Sequence, residues 1–310
     1  MTKILRVIGL GLVCVFINLN PAWACEPKAF SIVCLEEEQF FSIHELDEAK
    51  KEIWVDYWLK PLAHRLFEEK KDTPEISPTI CRPVKELPQA YLCISARQMD
   101  QNKLFSRMSI FSEGTKRISA GTLVTLDHPA YRMYSQAVGG HDLRAQALLD
   151  FFAEAKAKKM VLSKREKSFD ENVLQPLEKK YDSSSCCYQM SRSPDVWKSP
   201  SPFSVITASA QGYLDFTTVV SHELLHAQFY LNPKLRDLLR NYWSEKMSEE
   251  DKDLVRTELD NKGYNKDDEY VMIKEFYSYL FQSGSDRGPF QKVFPKHRKA
   301  IDKLQRRHKI

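Results

Sequence analysis

The sequence predicts an α+β fold whose C-terminal third is almost wholly helical. Three observations carry this reading. Short apolar runs bounded by Pro, Gly and polar residues punctuate the first two thirds of the chain, as strands do. The Ala-rich stretch from Ala145 to Met160 carries Leu148, Leu149, Phe151 and Phe152 at helical spacing. From Asp215 onward, helix-start and helix-stop residues recur in regular succession.

Taken in order, Ser42 with Glu45 forms a capping box that opens a helix through Trp54 and Trp58 toward Phe67. Residues 71–88 hold prolines at 74, 78, 83 and 88 and read as extended loop. Ala90 to Ser95, Arg107 to Phe111 and Thr122 to Leu126 read as short strands. Tyr181 to Pro202, rich in Ser, Pro and Cys, reads as a connector. It separates an α+β region over 25–180 from a second region over 181–310. Ser204 to Ser209 is a further strand candidate. Asp215 then caps a helix that Asn232-Pro233 stops at Leu231. Pro233 opens the next helix, to about Met247. Ser248 with Asp251 opens a third, which Gly263 ends. A fourth runs from near Asp267 to Gln282, and the basic tail after Gly288 predicts a short helix.

Composition bounds the function. The chain has 310 residues, 43% hydrophobic and 28% charged, enough to bury a sizeable core. Residues 1–24 read as a secretory signal: Lys3 and Arg6, an apolar run from Val7 to Ile17, then Pro21 and the small-x-small site Ala22-Trp23-Ala24. The run is too short to span a bilayer, which takes about 20 residues. The mature chain is therefore expected to be exported, periplasmic or secreted, with no integral membrane segment. Cys25 follows the cleavage site, but Ala22 and Trp23 fit a lipidation motif poorly. Signal removal takes Lys3 and Arg6 from the 46 basic residues and leaves 44 against 42 acidic ones. A net charge of +2 gives no support for a nucleic-acid partner. The basic stretch from Lys292 to Lys309 reads as a solvated helix face.

Six cysteines remain after cleavage: Cys25, Cys34, Cys81, Cys93, Cys186 and Cys187. An even count in an exported chain suggests disulfides. Cys25 with Cys34, and Cys81 with Cys93, would close short loops, whereas adjacent Cys186 and Cys187 would each reach elsewhere. No C-x-x-C pair is present, so a zinc knuckle is poorly supported.

The chemistry concentrates in His222-Glu223-Leu224-Leu225-His226. Histidines four apart project from one side of a helix, one turn apart, where one Zn²⁺ can reach both at about 2.0–2.1 Å. Glu223 is rotated by one residue step and can act on a water at the metal without ligating it. The helix is apolar on both sides, with Val219, Leu225 and Phe229 on the His side and Val220, Leu224 and Ala227 opposite. Such a helix is buried, and two His and a Glu within it need partners. A third protein ligand is then required. Phe229 and Asn232 stand where a third-His motif needs Gly and His, so a later glutamate is the route. Glu269 lies in a first helical turn, where an acid merely offsets the helix dipole. Glu275 lies mid-helix among apolar residues and calls for a charged partner, so it is favoured over Glu269.

The run S-H-E-L-L-H-A at 221–227, with E-F-Y-S-Y-L at 275–280, resembles the gluzincin clan of zinc metallopeptidases. The resemblance covers roughly Ser204 to Gln282. It implies a zincin-like fold, one zinc per chain held by His222, His226 and Glu275, and Glu223 as general base. It also implies a Tyr or His that stabilises the oxyanion, for which Tyr264 and Tyr270 are the candidates. Gln228 departs from the usual apolar residue, and Tyr279 stands where thermolysin-like members carry an acid. The expected function is a zinc-dependent peptidase acting on peptide or protein substrates. The alternative is a zinc-stabilised binding or scaffold protein on a peptidase-like fold without turnover.

Overall fold

The computed structural model describes residues 33–35, 79–184, 201–211, 214–283, 290–308 and 310. The expected signal segment, the helix expected over 42–67, and Cys25, Cys186 and Cys187 lie outside the described residues.

The fold is α+β. The strands are β1 (Val33–Leu35), β2 (Thr79–Val84), β3 (Leu87–Arg97), β4 (His141–Arg144) and β5 (Ser204–Gln211). They form one mixed sheet in the order β1-β2-β3-β5-β4. β1 runs parallel to β2 and β3 parallel to β5, while β2 is antiparallel to β3 and β4 antiparallel to β5. The expected regions 25–180 and 181–310 thus share this sheet, because β5 pairs with both β3 and β4.

The helices before β5 are α1 (Gln98–Glu113), α2 (Pro129–Ala137), α3 (Ala145–Ala157), α4 (Lys164–Phe169) and α5 (Gln175–Ser184). Those after it are α6 (Phe216–Leu231), α7 (Pro233–Lys246), α8 (Glu249–Asn261), α9 (Glu269–Phe281), α10 (Phe290–Val293) and α11 (Pro295–His308). Among the described residues no helix is long and apolar enough to cross a membrane.

Side-chain alternation along β3 explains the two cores. Tyr91 and Cys93 face α1, α3 and the π turn at Asp170–Leu174, meeting Leu104, Phe105, Met108, Phe151 and Phe169. Ala90, Leu92 and Ile94 face the other way, against Phe216, Val220 and Leu224 of α6. Both faces of the central strands are covered, so they read in sequence as continuous apolar runs. The remaining helices close a third core around α6 and α9, centred on Phe229, Trp243, Phe276 and Leu280.

Three expectations are corrected. Arg107 to Phe111 is helical, the last part of α1. Its alternation is local, whereas Leu104, Phe105, Met108 and Phe111 recur at helical spacing toward one core. Arg107 is fully buried there, bound by both Nε and Nη2 to the Glu166 carboxylate at 2.8 Å each. Thr122 to Leu126 forms no strand; Val124 is held by its carbonyl, which accepts from Arg107 Nη1 at 3.1 Å. The expected loop over 71–88 contains β2, despite its prolines. Pro83 sits where the β2–β3 register shifts, and Pro88 precedes Ala90, where pairing with β5 begins, so neither removes a needed donor. Cys81 and Cys93 are disulfide-bonded across this β2–β3 pair.

The C-terminal caps agree with the expectation. Asp215 Oδ2 accepts from Thr218 N at 2.8 Å and Ser248 Oγ from Asp251 N at 3.2 Å. Asn232, expected only to stop α6, also caps α7, its Oδ1 accepting from Leu235 N at 3.2 Å. Gly263 follows α8 at φ +97°, a conformation that favours glycine.

The edge strand β4 begins on a buried histidine. His141 Nδ1 meets Ser109 Oγ at 2.8 Å and Nε2 meets Asn102 Oδ1 at 3.0 Å. Burial pushes this imidazole down to about 3, with Asp142 opposing. An unfolded histidine titrates near about 6.5. The neutral ring therefore contributes stability that is complete above about pH 6.5 and is lost as pH falls toward about 3. Between pH 7 and 4, wild-type stability in urea should fall more steeply than that of His141→Gln, by up to about 1.4 kcal/mol per pH unit. Parallel profiles would remove His141 from the acid limb.

Candidate metal centre

Two helices build the site. α6 carries His222, Glu223 and His226, and its burial follows from an apolar surface on every side. α9 packs against α6 and carries Glu275. The structure brings His222, His226 and Glu275 together, all buried, with ligand atoms within 4.8 Å of one another. His222 Nε2 lies 3.0 Å from His226 Nε2. The two Glu275 oxygens lie 3.3 Å from His222 Nε2 and from His226 Nε2. Tetrahedral zinc with bonds of about 2.0–2.1 Å has ligand-to-ligand edges of roughly 3.3 Å, so the spacing suits such an ion.

Each imidazole is oriented through its other nitrogen. His222 Nδ1 donates to Gln282 Oε1 at 2.8 Å. A carboxamide oxygen only accepts, so Nε2 is the His222 nitrogen left for a metal. His226 Nδ1 pairs with Ser278 Oγ at 2.8 Å. Burial holds the His226 imidazole well below its ordinary value, which favours the neutral form that a metal ligand needs. Tyr279 stacks edge-on against the His222 ring at 4.5 Å. The aromatic residue therefore packs the first histidine, and Gln282, at the end of α9, supplies its hydrogen bond.

Two buried carboxylate oxygens, Glu275 Oε2 and Glu223 Oε2, have no hydrogen-bond partner among the described residues. Orphaned buried acceptors are costly, and a cation beside them removes the cost. Burial works to raise the Glu275 carboxyl, but His226 and the Lys274 ammonium outweigh it and hold it at about 2. Glu223 goes the other way. Burial, then the Asp142 and Glu275 carboxylates, push it well above the usual range.

Asp142, Glu223 and His226 also approach within 4.8 Å of one another. Asp142 Oδ2 is already taken by Lys274 Nζ at 2.6 Å and Tyr230 Oη at 2.5 Å. The set with two imidazoles and an unpartnered carboxylate oxygen is the better cation seat.

Sequence reasoning missed the layer behind the ligands. Lys274 is fully buried and binds Glu113 and Asp142, with Tyr230 Oη at 3.1 Å and Glu275 Oε1 at 3.5 Å. Burial, then the Asp142 carboxylate, raise Glu113 to about 8. The sequence held one signal for this cluster: a lysine in the apolar run around Glu275 needs buried acids. Nothing in the sequence names Glu113 or Asp142 as those acids.

The two tyrosine candidates part company. Burial, then the Glu275 carboxylate and Tyr279, push the Tyr264 hydroxyl well up, while Tyr270 packs on Phe229 at 5.3 Å, in the helical core. Tyr134 of α2 was not anticipated. Burial pushes its hydroxyl up, and Glu113, Asp142 and Glu275 add to the shift. Glu269 is exposed, in a surface depression with Asp253, Arg256 and Lys266, and takes no part in the site.

No protein-family model, curated protein or solved structure matches this chain.

In a zinc titration, Glu275→Ala should lose stoichiometric binding and Glu269→Ala should keep it. Gln282→Leu should retain the ligands but release the His222 ring, weakening affinity by about 10–100-fold. Wild-type affinity in Gln282→Leu would show that the hydrogen bond does not orient the ligand.

Proposed function

We propose that this chain is an exported zinc metallopeptidase of zincin-like fold, holding one zinc through His222, His226 and Glu275. The observation that carries the reading is the orphaned Glu223 carboxylate beside that ligand set. Two imidazoles and one carboxylate are a zinc donor set of the catalytic kind, which keeps a fourth position open. A bound zinc would supply Lewis acidity, polarising the substrate carbonyl and bringing a water toward a pKa of about 7.

The remaining chemistry belongs to the chain. Glu223 takes the proton of the attacking water and later gives it to the leaving amine. Gln282 and Ser278 keep both imidazoles aimed at the metal. For the oxyanion role Tyr264 is the first choice and Tyr134 the second, since the Glu275 carboxylate acts on both hydroxyls. Tyr270 fits that role less well. The substrate class is peptide or protein. Export is supported by the signal-like residues 1–24 and by the Cys81–Cys93 bond, since disulfides persist in oxidising compartments.

Glu223→Gln separates an enzyme from a zinc-stabilised scaffold. The variant should fold and hold one zinc per chain, yet cleave a mixed peptide library about 10²- to 10⁴-fold more slowly. Equal cleavage by both proteins, or none by zinc-loaded wild type, would leave the scaffold reading ahead.

A further inference from the structure

Residues 138–140 join α2 to β4 as a short wall whose last residue, Gly140, lies against the Glu223 carboxylate. At Gly140 a Cβ would overlap Glu223 Oε1 and stand 2.8 Å from its Cγ and Cδ. Backbone and carboxylate are therefore in direct contact, and only glycine leaves the room.

The wall lies before the first β4 pair, His141 with Thr207, so the sheet ladder does not hold it. Three carboxamides of α1 do. Gln98 Nε2 donates to Val138 O at 2.5 Å and to Gly139 O at 3.1 Å. Gln101 Nε2 donates to Gly139 O at 3.1 Å, and Asn102 Nδ2 to Val138 O at 3.0 Å. Gln101 and Asn102 are fully buried. One donor per carbonyl would satisfy this half-buried loop; here the Val138 and Gly139 carbonyls have two each. Asn102 cannot turn over, because its Oδ1 is engaged by His141 Nε2 while its Nδ2 holds Val138 O.

We propose that Gln98, Gln101 and Asn102 are positioning residues for Glu223: their carboxamides hold residues 138–140 against it and fix where its carboxylate sits beside the histidines. The role of Glu223 as base rests on the peptidase reading above; the mechanical contact does not. Rigid placement of a base matters because small displacements of a catalytic group cost rate steeply.

The test has two arms on the full zinc-loaded chain. In the first, Gly140→Ala should lower Tm by several degrees, and Glu223→Ala should abolish most of that drop by removing the atoms the methyl meets. Asn102→Ala should also shrink the drop, because a released wall can recede. Hydrogen exchange over residues 138–142 should speed up in Asn102→Ala. Additive Tm changes across these pairs would overturn the contact. In the second arm, Asn102→Ala should keep one zinc per chain and a near-normal KM, with kcat lowered at least about 10-fold. An unchanged kcat with a loosened wall would overturn the positioning role. Gln98→Ala, at the half-buried end of the trio, gives the same readouts if Asn102→Ala does not fold. A wild type without turnover would sink the peptidase reading alone, and the Tm cycle would then decide the contact by itself.

Discussion

One buried ammonium sets the geometry on which the site depends. Lys274 of α9 is fully enclosed and reaches Glu113 of α1, Asp142 of β4 and Tyr230 of α6. Burial works against its charge, but Asp142 and Glu113 outweigh that and hold it well above its ordinary value. The ion pair thus ties β4, α6 and α9 at one point. Successive helix residues differ by about 100° in direction. Fixing Lys274 toward Asp142 therefore fixes Glu275 toward the histidines. Removing one partner would leave a buried charge uncompensated, at a cost on the order of 3–5 kcal/mol.

The same cluster leaves an electrostatic imbalance. Glu113, Asp142, Glu223 and Glu275 gather around one lysine. Two of these acids, Glu113 and Glu223, have their carboxyls pushed upward, with burial the first cause in both. Neutralisation by proton and neutralisation by cation are alternative answers to the same crowding. A divalent ion at His222, His226 and Glu275 would offset the negative charge of this cluster and favour the ionised form of Glu223, which is the form a base requires.

How much was legible in sequence follows from how local each feature is. The helix starts at Asp215 and Ser248 are read within four residues, and both residues cap as expected. The His222–His226 pair is fixed by helical spacing alone, and Glu275 stood out as a carboxylate in an apolar helix. Arg107 to Phe111 misled because five residues cannot separate a strand period from a helical one, and the true period appears only with Leu104. The partners of His222 and Lys274 were out of reach. Gln282 lies two turns beyond Glu275, and Glu113 and Asp142 arrive from elements more than a hundred residues away. Only the sheet order, with β5 inserted between β3 and β4, brings those acids to α9.

The choice between enzyme and scaffold turns on what a purely structural metal site would tolerate. Such a site closes around its ion with protein ligands and gains nothing from a further acid. Here Glu223 is buried beside the ligands with an oxygen that no described group satisfies. Leaving it so costs about 1–3 kcal/mol. The fold also commits a glycine at 140 to make room for it, and three side chains of α1 to the carbonyls of Val138 and Gly139 just before that glycine. Replacing Glu223 by an apolar residue would relieve the orphaned oxygen and leave the three ligands intact. A stability role alone gives no reason to keep it, whereas proton transfer at the metal does.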